Sequence, residues 1–206
     1  MRVFVAVVPP APVVEAVEEF LQPRREALAA QGRWRWTRSE HLHLTLAFVP
    51  DLDAWREEGL VEAGEEFAAR QQPLDLCLSG AGAFPDPGAA RVLWAGVDEE
   101  RPGTLADWAA GTRRVLSRAG ARVEGTRFTP HVTLARSVGG RHAAGHLVQA
   151  LDTLRTPTWT VDELVLVASW LGEGPNNTPR HEVRHRWTLG AAPARPDGNR
   201  TCRLRA

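Results

Sequence analysis

The sequence predicts an α+β fold with two lobes. Two antiparallel β-sheets carry helices on their outer faces, with pseudo-twofold symmetry around a central cleft. Three observations predict it. Strand-like and helix-like segments interleave along the chain. Several strands are joined by short turn-rich links, which favour hairpins and antiparallel pairing. One motif, His-x-Thr-Leu, occurs at 43–46 and again at 131–134, a copy for each half. Residues 1–190 are expected to form one two-lobed domain, and 191–206, rich in Pro, Gly and Arg without periodicity, a mobile tail.

Taken in order, residues 2–8 read as a β-branched strand stopped by Pro9 and Pro10. Helical spacing follows from Val13 through the region around Ala30, with Pro23 expected to kink or split it. A short strand at 34–37 leads to a strand at 42–49, ended by Pro50 and Asp51, and 54–71 is an amphipathic helix. The segments LDLCLSGAGAF and RVLWAGV are strands linked by the turn-rich FPDPGAA. Helix returns at 104–120, then a strand at 129–135 and a helix at 141–154. WTVDELVLVAS and HEVRHRWTL form a hairpin across LGEGPNNTPR.

Composition narrows the function. The 25 basic and 25 acidic residues cancel, which argues against nonspecific gripping of long nucleic acid. Any nucleic-acid contact should be local, at an end or a small pocket. Every basic residue is arginine, so a basic contact to phosphate must use a guanidinium fork. The two cysteines, Cys77 and Cys202, suggest no disulfide framework. Cys77 alternates with leucines as core filler, and a reducing, cytoplasmic setting fits. The apolar run at the N-terminus is too short for a signal peptide or a membrane span.

The chemistry lies in the repeated motif. Side chains two apart on a strand share a face, so His43 and Thr45 point one way and Leu42, Leu44, Leu46 and Phe48 the other. His131, Thr133 and Ala135 likewise share a face, opposite Val132 and Leu134. Each strand is half core and half polar, and the polar half pairs a hydroxyl with a base titrating near ~6.5. Two such units facing each other suit in-line displacement at phosphorus. One neutral imidazole takes a proton from attacking water, and the other, protonated, gives one to the departing oxygen. The hydroxyls hold the non-bridging oxygens as charge develops, and no metal or other cofactor is required. A single His-x-Thr is weak evidence; the second copy in the corresponding strand is what lends it weight.

The other histidines offer less. His41 makes a His-x-His pair with His43, a metal-ligand spacing, but His131 carries no such partner, and His41 reads as a cleft-rim residue. His142 and His146 are i, i+4 on the expected helix, and His181 and His185 share parity in the final hairpin.

In MRVFVAV, RWTRSEHLHLTLAF, RVLWAGV, RFTPHVTLAR and HEVRHRWTL, the chain resembles the two-histidine phosphoesterases over residues 1–189. Within them it is most similar to the RNA 2′,3′-cyclic phosphodiesterases, once called 2′–5′ RNA ligases. The resemblance implies metal-independent hydrolysis of 2′,3′-cyclic phosphates to 2′-phosphomonoesters, together with a weak reverse 2′–5′ joining. By motif it makes His43 the proton donor to the leaving 3′ oxygen, His131 the base for water, and Thr45 and Thr133 phosphate ligands. The spacing alone leaves the two histidine roles interchangeable. Relatives often follow the first motif with Phe-Leu-Gly, where this chain has Phe48-Val49-Pro50, and His181 stands where an aromatic, often Tyr, is usual. Arg136 is a further phosphate-ligand candidate, although strict alternation points it away from His131. Arg33, Arg35 and Arg38 are placed to steer RNA ends, or form a solvated run.

The expected partners are RNA ends or nucleotides bearing 2′,3′-cyclic phosphate, with no membrane and no second subunit. Two alternatives stand beside this reading: the same chemistry on a small nucleotide cyclic phosphate, and an RNA-end binding module without turnover.

Overall fold

A computed structural model of the chain describes residues 1–123, 127–175 and 178–190. The class is α+β and the strands pair antiparallel, as expected. The expectation of two separate sheets is corrected: all nine strands belong to one curled sheet. The order is β7 (Trp159–Val161), β4 (Leu74–Phe84), β5 (Val92–Glu99), β6 (His131–Ser137), β3 (Leu44–Val49), β1 (Arg2–Val7), β8 (Glu163–Gly174) and β9 (Thr178–Thr188), with β2 (Trp34–Trp36) also on β6. The two motif strands join the halves themselves, because Leu44 of β3 pairs with Val132 of β6. Along this path four strands stand on each side of that seam, with β2 added on the β6 side. What the sequence suggested as two lobes is two halves of a continuous sheet.

The helices follow from apolar spacing. In α1 (Ala11–Leu28), Val13, Val17 and Leu21 recur every fourth residue and are buried. Helix α1 runs on through Pro23 without splitting; Arg24 braces that turn, donating to Phe20 O (2.6 Å) and across to Ala150 O (3.0 Å). Helices α2 (Glu57–Ala68) and α3 (Thr104–Arg118) bury Leu60, Leu105 and Trp108 against the sheet. Strand β1 shows the resulting division of faces. Val3, Val5 and Val7 join the main core, which these helices cover, while Phe4 and Ala6 pack with Val165, Val167 and Phe48 on the opposite face.

Two expectations change. The segment 159–169 is not one strand: it breaks at Asp162, whose carbonyl accepts from Leu189 N, so β7 pairs β4 and β8 pairs β1 in the other half. The helix at 141–154 shrinks to α4 (Gly145–Leu151), because His142 spends its backbone groups on a bridge with Ala90. His142 and His146 therefore form no helical pair. Cys77 is buried on β4 as expected, and Cys202 lies outside the described residues. The expected tail, 191–206, lies outside the described residues. No helix among the described residues is long and apolar enough to cross a membrane.

Candidate active site

Both motif strands carry a one-residue bulge at the same place. On β3, Ala47 faces Val5 but Thr45 faces Ala6, so Leu46 is the extra residue. On β6, Ala135 faces Leu93 but Thr133 faces Trp94, and Leu134 is extra. Each bulged leucine is buried in the main core. Past a bulge the inward–outward parity inverts, which corrects the expected facing of three residues. Ala135 turns into the main core, and Phe48 joins Phe4 on the opposite face. Arg136 falls on the face of His131 and Thr133, where strict alternation would have excluded it.

The seam fixes how the two motifs meet. Continuing the Leu44–Val132 register by one residue either way sets His43 across from Thr133 and Thr45 across from His131. The two histidines then lie on a diagonal, a Cα separation on the order of 8 Å for adjacent strands. Strand β3 starts at Leu44 rather than Leu42, so His43 leaves the short turn Ser39–His41 just as the strand begins.

Each ring is anchored alike. His43 Nδ1 lies 2.7 Å from His41 O, and His131 Nδ1 lies 2.7 Å from Thr129 O. A carbonyl oxygen only accepts, so each Nδ1 carries a hydrogen and donates it. Nε2 is then the atom that titrates. Phe4 from the next strand stacks on His43, with centroids 4.6 Å apart and planes 22° from parallel. Around His131 the corresponding aromatics are Phe84 (5.0 Å, edge-on) and Trp94 (6.2 Å).

Burial and charge depress both bases. Desolvation pushes His43 down to about 4; the bond to His41 O opposes this, and His181, Arg136 and His41 add to it. His131 is lowered first by desolvation, against the bond to Thr129 O, and then by Arg136. One guanidinium thus acts on both imidazoles, which ties the two motifs to a single site. Arg136 is itself lowered by desolvation and by Arg35 beside it. Thr45 and Thr133 are half-buried on the same face, and neither hydroxyl bonds to another described residue.

The structure also recruits residues that the sequence reading left at the margin. His181 of β9 lies 4.5 Å from the His41 ring and meets His43 edge-on at 5.7 Å. Desolvation and then His41 push His181 down to about 4. His185 does not join them. Another bulge, at Arg184, turns it toward α2, where it meets Glu65. Among the described residues no three or more His, Cys, Asp or Glu side chains are grouped as metal ligands. Arg38 is paired with Glu40, and Arg33 lines a separate groove with Arg24 and Trp34. Of that arginine trio, Arg35 alone pairs with Arg136.

A family model described as the 2′-5′ RNA ligase superfamily matches residues 9–171. The chain belongs to that superfamily. An RNA 2′,3′-cyclic phosphodiesterase of Aeropyrum pernix is 32% identical over 165 residues, 78% of this chain and 92% of that protein. A relative of the same name from Geobacillus stearothermophilus is 31% identical over 160 residues, 77% of this chain; the match spans 48% of that longer protein. Among solved structures, TT0787 of Thermus thermophilus superposes with a TM-score of 0.69 at 27% identity, covering 93% of this chain and all of that one. The Thermus thermophilus protein thus has the same overall fold as this chain.

Proposed function

We propose that this protein hydrolyses 2′,3′-cyclic phosphate at RNA ends to the 2′-phosphomonoester, with His43 and His131 as general acid and base. The observation that carries the reading is the seam: two anchored imidazoles on one diagonal, two unpaired threonine hydroxyls between them, and one guanidinium acting on both rings. The names of the relatives support the substrate class.

Neutral His131 Nε2 takes a proton from water as the water oxygen bonds to phosphorus. The P–O3′ bond breaks on the far side, and protonated His43 delivers a hydrogen to that oxygen. Thr45, Thr133 and Arg136 hold the non-bridging oxygens as charge grows on them. His43, at about 4 in the free protein, acquires its proton with the substrate. The diester anion offsets the cationic Arg136 and supplies the charge that an imidazolium needs. The acid role for His43 follows the family resemblance. The Nδ1 anchors make both Nε2 atoms competent and do not rank them.

The test is incubation of an RNA ending in 2′,3′-cyclic phosphate with the protein in excess EDTA. The expected result is a 2′-phosphate end and a 3′-hydroxyl. EDTA-sensitive turnover, or tight binding with an unaltered end, defeats the reading in favour of a metal hydrolase or a binding module.

A further inference from the structure

Strand β2 lies along the same edge of β6 that β3 meets, taking over where β3 leaves it: Leu44 pairs Val132, and then Trp36, Arg35 and Trp34 pair Ala135, Arg136 and Ser137. Trp34 and Trp36 pack on the main core, so Arg35 points to the opposite face, as Arg136 does. Directly opposed residues lie about 5 Å apart in backbone, and the like charge of Arg35 acts against that of Arg136. Neither has a carboxylate partner or any side-chain hydrogen bond among the described residues. Other arginines of the protein do find carboxylates, among them Arg25 with Glu18, Arg56 with Asp53, and Arg184 with Glu57 and Glu182; what sets Arg35 and Arg136 apart is that they face each other across a strand pair. An unrelieved pair of like charges at the edge of the candidate site is a cost that two anions would remove.

We propose that Arg35 and Arg136 are successive phosphate sites. Arg136 takes the cyclic phosphate, and Arg35 takes the next phosphate along the strand. The inference rests on the cyclic phosphodiesterase reading and narrows its substrate: the chain is built for an RNA end of at least two nucleotides rather than a free cyclic mononucleotide. A neutral overall charge is compatible with this, since two local guanidiniums suffice and no extended basic surface is needed. Both side chains reach solvent, as an incoming phosphate requires, and desolvation lowers Arg136.

The experiment compares two substrates that differ by one nucleotide, and so by one phosphate charge: adenosine 2′,3′-cyclic phosphate, and the diadenosine dinucleotide that ends in the same group and has a free 5′-hydroxyl. Wild-type protein should favour the dinucleotide in kcat/KM. Arg35→Gln should lower the dinucleotide-to-mononucleotide ratio about tenfold, the value of one charge-assisted contact, and Arg35→Lys should restore part of it. The salt dependence of the dinucleotide reaction should become shallower by about one charge. A second arm needs no turnover: adenosine 2′,5′-bisphosphate should bind more tightly than adenosine 2′-monophosphate by calorimetry, and Arg35→Gln should erase that difference. A ratio that Arg35→Gln leaves unchanged in both arms overturns the proposal, whether both ligands weaken together or neither does. Absence of turnover with either substrate would instead defeat the cyclic phosphodiesterase reading, leaving the binding arm to decide on Arg35.

Discussion

Leu44 of β3 and Val132 of β6 face each other across the seam of the sheet, each directly after a histidine whose Nδ1 donates to the carbonyl two residues back. That one pairing brings residues from opposite halves into a common frame, with His43 beside Thr133 and His131 beside Thr45. The predictions below test what that frame does.

The threonine hydroxyls are expected to act in the transition state more than in binding. Thr45→Val and Thr133→Val keep shape and β-propensity while removing a donor. Each should lower kcat by about 10²-fold, with circular dichroism and Tm close to wild type. A change confined to KM would show that the hydroxyls bind substrate without following the developing charge.

The pH profile should be displaced to acid. Both imidazoles titrate below the ordinary ~6.5 in the free protein, His43 at about 4. The kcat/KM bell, which reports the free enzyme, should therefore centre below that value. The kcat bell should lie to its alkaline side, because bound phosphodiester raises His43. Arg136 depresses both histidines, so Arg136→Met should move the kcat/KM bell toward alkali as it weakens substrate binding. Coincident kcat and kcat/KM bells would contradict the substrate-linked proton.

Stability should depend on pH through the same cluster. His43 and His181 have folded pKa values near 4 against an unfolded value near ~6.5. Between these limits the unfolded chain binds more protons, so stability rises with pH there. Their contribution is fully present above the unfolded value and is lost progressively as pH falls toward 4. Calorimetric Tm should thus be higher at pH 7.5 than at pH 5, and His181→Phe should reduce the difference. A Tm that rises on acidification through this window would contradict the assignment.

Phe4 is buried and lies flat on His43. Phe4→Ala should cost about 3 kcal/mol in stability. Phe4→Leu should recover most of that while leaving the His43 ring less constrained, read as a lower kcat at nearly unchanged Tm.

Much of the site was legible because a strand repeats every two residues and the motif repeats once per half. Those two regularities picked out His43, Thr45, His131 and Thr133. They failed at Leu46 and Leu134, since nothing in a leucine announces a bulge; the inversion that follows is what moved Phe48 and brought Arg136 into the site. Phe4, Trp94 and His181 act from other strands, and cross-strand neighbours are set by register that no local pattern encodes. The helix expected at 141–154 failed for a related reason: a distant residue, Ala90, claims the backbone of His142. A different long-range pairing, Leu44 with Val132, merged two expected sheets into one.

The most direct measurement is phosphorus-31 NMR of adenosine 2′,3′-cyclic phosphate turned over in excess EDTA by wild-type, His43→Ala and His131→Ala proteins of matched Tm. Wild type should convert the cyclic resonance to the 2′-monophosphate alone, and both variants should leave it intact over the same interval. Formation of the 3′-monophosphate, or sustained conversion by either alanine variant, would contradict paired proton transfer across the seam.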